Sequence, residues 1–242
     1  MSSRRNILVP YLALLLVGAS LLPMLGSQLR PVLSRDLPGI QLMGGGSWFV
    51  AAGGYRTILA DWFWLEANKA WERQEADRTT NLIHLAATAD PQCLYFWLNG
   101  ARILCYDIPV WQTAGHNPPA GVVVRWRKEA AGRALAFLDE AEHWHSRAPE
   151  LAVEKGNIAW RALGDLEAAA QHYRRAAQLP GAPFYAGRIH AELLVALGRM
   201  REARDWLREL LPRLPAGNPD ARVPVVRERL LYLERQVERP EK

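Results

Sequence analysis

Two similar stretches of sequence decide the fold of this chain: LGDLEAA at Leu163–Ala169 and LGRMREA at Leu197–Ala203. Their glycines, Gly164 and Gly198, are 34 residues apart. A period of this length is typical of a repeating helix-turn-helix unit. One unit cannot bury its apolar face alone, so units stack and leave an extended concave surface. The spacing therefore predicts an all-α chain built as an α-solenoid of helix pairs.

The residues around these stretches follow a recognisable order of bulky, glycine, small and aromatic positions. The first unit carries it at Trp160, Gly164, Ala169, Tyr173 and Ala176, and the second carries it in part at Gly198 and Ala203. With these residues the chain resembles the tetratricopeptide repeat family. The resemblance implies glycines that permit tight turns, alanines where two helices cross most closely, and a fold that binds other polypeptides.

The sequence departs from the family pattern at a few positions. Gly156 stands where the motif usually has leucine, and His190 does the same in the next unit. Pro215 closes the second unit where the motif expects a proline, whereas the first unit has its proline one residue away, at Pro180. The two clear units cover residues 149–216.

Two weaker units are predicted upstream of residue 149. One ends at Asp90–Pro91, since the residue before a proline is disfavoured in a helix. The next helix, residues 92–107, is predicted to break at Pro109 and its partner to occupy residues 126–146. Residues 108–125 then form an insertion, although the valines within it favour some helix. The predicted organisation is a tip and anchor at 1–28, a Pro/Gly-rich spacer at 29–47, repeats at 48–217, and a capping helix with tail at 218–242.

The N-terminus carries a membrane signal. Arg4 and Arg5 precede Ile7–Leu25, an uncharged apolar run that as a helix would span about 28 Å, enough to cross a bilayer. Basic residues in front keep the N-terminus in the cytoplasm and place the main domain outside it, in the periplasm. A cleaved signal peptide with a site at Val17–Ala19 is the alternative, although the apolar run continues past that site.

Composition narrows the function classes. The formal net charge is +5, carried mostly by arginine, and in the C-terminal helix the arginines alternate with glutamates as on a solvated face. No nucleic acid is therefore expected as a partner. The ten tryptophans are predicted to fill space between stacked helices, with a stacking platform for bases or sugars as the alternative. Cys93 and Cys105 lie too far apart along one helix to form a disulfide, so free thiols are expected.

The sequence contains no recognisable catalytic or metal motif. Asp139 and His143 share a helix face, but His143 and His145 diverge and cannot jointly hold one ion, so a solvated polar face is expected. No metal or other cofactor is predicted. The alternative to a binding scaffold is a helical enzyme or binding protein for glycans or lipids, using a Trp-lined groove and the carboxylates of Asp61 and Glu66. Paired with Arg56 or Lys69, these carboxylates would be structural.

The family resemblance implies that ligands contact the first helix of each pair, which lines the concave face. Amides and guanidiniums there would grip a peptide backbone or a carboxylate. We therefore predict a membrane-tethered, non-enzymatic scaffold that binds other proteins, especially envelope or membrane proteins, as an accessory subunit of a secretion, pilus or polysaccharide assembly. The candidate peptide-binding residues are Asn99, Arg102, Asn157, Arg161, Arg188 and Glu192.

Overall fold

The computed structural model describes residues 56–114 and 118–238, and all regular secondary structure within these ranges is helical. Helix α3 continues through a π-helical turn, Ile103–Asp107, into α4, and α6 continues into a second π-helical turn, Ala159–Leu163. Short 3₁₀ turns, Leu211–Arg213 and Pro219–Ala221, precede the last helix. The helices are α1 (Arg56–Glu72), α2 (Ala76–Ala89), α3 (Leu94–Arg102), α4 (Ile108–Thr113), α5 (Ala120–Ala141), α6 (Pro149–Ile158), α7 (Leu166–Gln178), α8 (Phe184–Ala196), α9 (Met200–Leu210) and α10 (Val223–Glu238).

Helices that follow one another in the chain pack against one another as pairs. The pairs are α1 with α2, α3 with α5, α6 with α7, and α8 with α9, and α10 packs on α9. We call α1, α3, α6 and α8 the first helices. Val226, Leu230 and Leu233 of α10 are buried with Ala203 and Leu207 of α9, so α10 covers the last pair. The described residues thus form the helix pairs of a tetratricopeptide-like α-solenoid.

The repeat residues have the structural roles that the resemblance implies. Gly164 and Gly198 have φ of +69° and +75°, a left-handed conformation that glycine adopts without strain. After the first of these turns, the Asp165 side chain accepts a hydrogen bond of 2.9 Å from the Ala168 N–H and caps α7. Fully buried small or aromatic side chains then occupy the helix crossings: Ala169, Tyr173, Ala176 and Ala203.

The departure at Gly156 has a steric explanation. A Cβ atom added there would lie 2.9 Å from two ring carbons of Tyr173, closer than real contacts allow. The Tyr173 ring therefore fills the space that a leucine would take, and its hydroxyl donates a 2.7 Å hydrogen bond to Asn157 Oδ1. Two other first-helix glycines are also in close contact with large side chains: Gly100 meets Ile83 and Phe137, and Gly187 meets Leu210.

The departure at His190 creates a polar contact between two pairs. The side chain is 5% exposed, its ring packs edge-on against Trp206, and Nδ1 lies 2.8 Å from the carbonyl oxygen of Ala170. Since a carbonyl only accepts, the neutral ring carries its proton on Nδ1. Burial lowers the pKa of His190, against a smaller opposing effect of the Ala170 hydrogen bond.

Folding stability should consequently fall in mild acid. Burial also lowers the pKa of His172, so the unfolded chain takes up more protons than the folded chain below about pH 6.5. We expect the free energy of unfolding to drop between pH 7 and pH 5.5, with His190 contributing on the order of 1 kcal/mol. In His190→Leu this drop should be smaller, as measured by urea unfolding at both pH values. An equal drop in both proteins would contradict this assignment.

Several predicted boundaries upstream of residue 149 are wrong. The helix does not break at Pro109, because the π-helical turn lets the Ile108 N–H bond to the Ile103 carbonyl and leaves Pro109 in the first turn of α4. A proline there needs no N–H partner. Helix α5 starts at Ala120 and not near residue 126. The expected insertion at 108–125 is therefore largely helical, as its valines suggested.

The prediction that the tryptophans fill the core holds only in part. Trp64 and Trp97 are buried, and the Trp97 indole donates to the Pro91 carbonyl at 3.0 Å. Other tryptophans are well exposed, including Trp160, whose role as a buried repeat residue is thereby corrected: it lies in the second π-helical turn and not inside a helix crossing. The exposed ones are Trp62 (53%), Trp71 (41%), Trp144 (39%) and Trp160 (39%).

None of the helices in the described ranges is long and apolar enough to span a bilayer. The predicted anchor at 7–25 and the spacer at 29–47 lie outside the described residues, as do the first residues of the predicted repeat region, 48–55.

Candidate functional site

Side chains from three successive first helices line one continuous groove. Its first part lies between α1 and α3 and encloses about 290 Å³, and its second part lies between α3 and α6 and encloses about 330 Å³. The two parts share Arg102 and Asp107. We call them together the first-helix groove. The first part is lined in addition by Trp64, Asn68, Trp71, Tyr95, Asn99 and Ile103, and the second by Tyr106, Glu154, Asn157 and Arg161.

The first part of the groove is aromatic, and we call it the aromatic half. Tyr95 is 56% exposed and packs edge-on against Trp64, with 5.4 Å between ring centroids. Trp71 donates its indole N–H to Asp107 Oδ2 at 2.7 Å and packs edge-on against Trp111 at 6.3 Å. These contacts hold two exposed rings in fixed positions, which lowers the entropic cost of using them to bind a ligand.

The π-helical turn Ile103–Asp107 shapes this part of the groove. Such turns insert an extra residue into a helix and are frequent at functional sites. Here the turn brings Tyr106 and Asp107 to the groove while Cys105 stays buried. Burial raises the pKa of the Cys105 thiol to about 11, so it remains protonated and unreactive at neutral pH. Both cysteines are free, as the sequence predicted.

The second part of the groove, the charged half, contains a buried acid held by an arginine. Glu154 is 3% exposed, and its Oε2 accepts hydrogen bonds from Arg102 Nε at 3.1 Å and Nη2 at 2.8 Å. This hydrogen bond raises the pKa of Arg102 above its usual value. Asn157 lies alongside, with its Nδ2 at 3.5 Å from Glu154. Arg161 forms no hydrogen bond or ion pair with any residue of 56–114 or 118–238.

The structure brings together four of the six predicted peptide-binding residues, Asn99, Arg102, Asn157 and Arg161, in the first-helix groove. The other two are engaged by the C-terminal region. Arg188 Nη1 donates to the carbonyls of Asp220 and Ala221 at 3.2 Å, and Glu192 pairs with Arg229 at 2.5 Å. Their role in peptide binding stays a prediction, but the structure gives them a role in holding α10.

Sequence reasoning missed the aromatic half and Asn68. Among the groove residues on α1 and at the start of α3, Trp64 and Trp71 had been assigned to core packing, and Tyr95 had no role. Spacing along α1 carried a signal, since Trp64, Asn68 and Trp71 fall at intervals of four and three residues and so share one helix face. The contribution of Asp107 depends on the π-helical turn, which no sequence pattern indicated.

The carboxylates considered for an enzyme do not form a pair. Asp61 is exposed, whereas Glu66 pairs with Lys69 at 2.7 Å and with Arg78 at 3.4 Å. Its Lys69 hydrogen bond lowers the pKa of Glu66. The pairing with Lys69 is the structural role that the sequence suggested for this residue.

The predicted polar face at the end of α5 is also divided. Asp139 pairs with the buried Lys155 at 2.5 Å, and Lys155 pairs with Glu142 at 2.7 Å. Because α5 ends at Ala141, His143 lies in the following turn and not on the helix face of Asp139. His145 contacts the Pro91 carbonyl at 2.9 Å. Within the described ranges no cluster of His, Cys, Asp and Glu has the arrangement of a metal site.

Comparisons with known proteins give a distant structural likeness. No protein-family model and no curated protein matches the chain. The crystal structure of a thermophilic tetratricopeptide repeat protein of Thermus thermophilus matches at 20% identity and a TM-score of 0.42, over 82% of this chain and 98% of that one. At this distance the likeness says nothing about ligands, and the fold assignment depends on the helix pairs and turn glycines described above.

Proposed function

We propose that this chain is a protein-interaction scaffold whose first-helix groove binds an extended segment of a partner protein. The observation that carries the proposal is the continuity of the groove across α1, α3 and α6, with exposed polar and aromatic side chains along its length. Solenoids of helix pairs use such extended surfaces for binding. Asn68, Asn99 and Asn157 come from three successive first helices, and an amide matches a peptide backbone because it both donates and accepts hydrogen bonds.

We further propose that residues 7–25 tether the scaffold to a membrane, with the N-terminus in the cytoplasm and the groove in the periplasm. The support is the sequence pattern of two arginines followed by a nineteen-residue apolar run. A tethered scaffold of this kind would serve as an accessory subunit of a cell-envelope assembly for secretion, pilus formation or polysaccharide export. Its partners would be envelope or membrane proteins.

Site-specific photo-cross-linking tests both parts of the proposal. A benzophenone amino acid replaces Tyr95, in the aromatic half, or Tyr232, an exposed tyrosine of α10 outside the groove. After irradiation of intact cells and fractionation, the Tyr95 variant should give discrete protein adducts in the membrane fraction, and the Tyr232 variant should give few. Adducts of equal yield from both positions would contradict a binding role for the groove, and adducts confined to the soluble fraction would contradict the tether.

A further inference from the structure

We infer that the partner segment carries an aromatic or proline ring and, about three residues away, an acidic side chain. This inference rests on the proposed function of the first-helix groove and specifies the chemistry of its ligand. It follows from the different character of the two halves of the groove and from their separation.

The aromatic half supplies the site for the ring. Tyr95 and Trp71 are 56% and 41% exposed, so their ring surfaces are open to a ligand, while Trp64 and Asp107 fix their positions. Rigid aromatic side chains are effective anchors for aromatic ligand residues. Aromatic-lined grooves also bind proline rings, because the extended proline-rich backbone loses little entropy on binding.

The charged half supplies the site for the acid. Arg102 and Glu154 neutralise one another at 2.8 Å, whereas Arg161 has no partner in the described part of the chain. Asp107 lies at the border of the two halves and already accepts the Trp71 indole N–H. An acidic ligand side chain beside Arg161 would gain a charge-assisted hydrogen bond, whereas a basic one would be repelled.

The spacing follows from helix packing. The aromatic half lies between α1 and α3, and the charged half lies between α3 and α6. Adjacent packed helices are about 8–10 Å apart, so the two halves are separated by about the same distance. An extended chain covers about 3.3–3.6 Å per residue, which places the ring and the acid about three residues apart.

Glycans are a less suitable ligand for the same groove. Sugar hydroxyls need several free acceptors, and the two carboxylates here already accept hydrogen bonds from Trp71 and Arg102. The amide of Asn99 donates to the Tyr95 carbonyl at 3.0 Å and keeps its oxygen for a ligand. Asn68 forms no hydrogen bond within the described ranges and offers both a donor and an acceptor, as a peptide backbone requires.

The test is selection of random twelve-residue peptides displayed on phage, using the folded full-length chain in detergent micelles. The selected peptides should share a Trp, Tyr, Phe or Pro and an Asp or Glu about three residues away. A synthetic consensus peptide should then bind Arg161→Glu more than about tenfold more weakly than the wild type. Replacing the peptide's acid by lysine should restore binding to Arg161→Glu. The matched control is Arg133→Glu, an exposed arginine on α5 with no partner in the described residues, which should leave affinity unchanged.

Each outcome separates this inference from the proposed function. Peptides that bind without the acid, or that respond equally to Arg161→Glu and Arg133→Glu, would overturn the inference and leave the scaffold function standing. If the folded chain selects no peptide, the proposed function fails with it. Binding on a glycan array in that case would assign the aromatic half to sugars.

Discussion

Replacing Gly156 by leucine, the residue that the repeat family usually carries there, should lower the free energy of unfolding by about 3 kcal/mol. The physical reason is the Tyr173 ring, whose carbons lie 2.9 Å from the position of an added Cβ. The ring is 1% exposed and its hydroxyl is bonded to Asn157, so it cannot move aside without losing packing and a hydrogen bond. Urea unfolding of the two proteins measures the difference.

Two further variants make this prediction specific. Gly132 lies on α5 with nothing within 4 Å of an added Cβ, so Gly132→Ala should raise stability by about 0.5–1 kcal/mol through its helix propensity alone. Removing the ring in Gly156→Leu/Tyr173→Ala should cost less than the sum of the two single changes, because the leucine then fills the vacated space. Strict additivity would show that Gly156 is not held by the Tyr173 ring.

Much of the fold was predictable because its signals are local. Gly164 and Gly198 mark turns that need a left-handed residue, and Ala169 and Ala203 mark crossings that admit only a small side chain. These requirements act within one helix pair, so a single sequence reveals them. The course of the chain at Pro109 was not predictable in the same way. A proline normally ends a helix, and only the π-helical turn before it changes the hydrogen-bond partners.

The candidate site was predictable only in part, because it depends on which helix faces meet. The expectation that first helices carry the ligand contacts placed Asn99, Arg102, Asn157 and Arg161 correctly within one groove. Nothing in the sequence distinguished a free arginine from one already paired. That Arg102 is bound to Glu154 across 52 residues of chain, while Arg161 has no described partner, is a property of tertiary packing.

Arg102→Met should also destabilise the fold, by about 3 kcal/mol, and by more than the change of its partner, Glu154→Met. The two side chains are bonded to each other but differ in exposure: the Glu154 side chain is 3% exposed and that of Arg102 is 51% exposed. Removing the arginine leaves a buried carboxylate whose remaining contact is Asn157 Nδ2 at 3.5 Å. Removing the glutamate leaves an arginine that water solvates. Chemical unfolding of both single variants measures the asymmetry.

The double variant Arg102→Met/Glu154→Met separates this explanation from simple loss of packing. With both charges removed, no carboxylate is left unpaired, so stability should return to within about 1 kcal/mol of the wild type. If the double variant were instead as unstable as Arg102→Met, the aliphatic part of Arg102 would be the stabilising element. If the pair behaves as expected, Arg102 is committed to the fold through Nε and Nη2, and Arg161 is the groove cation available to a partner's acidic side chain.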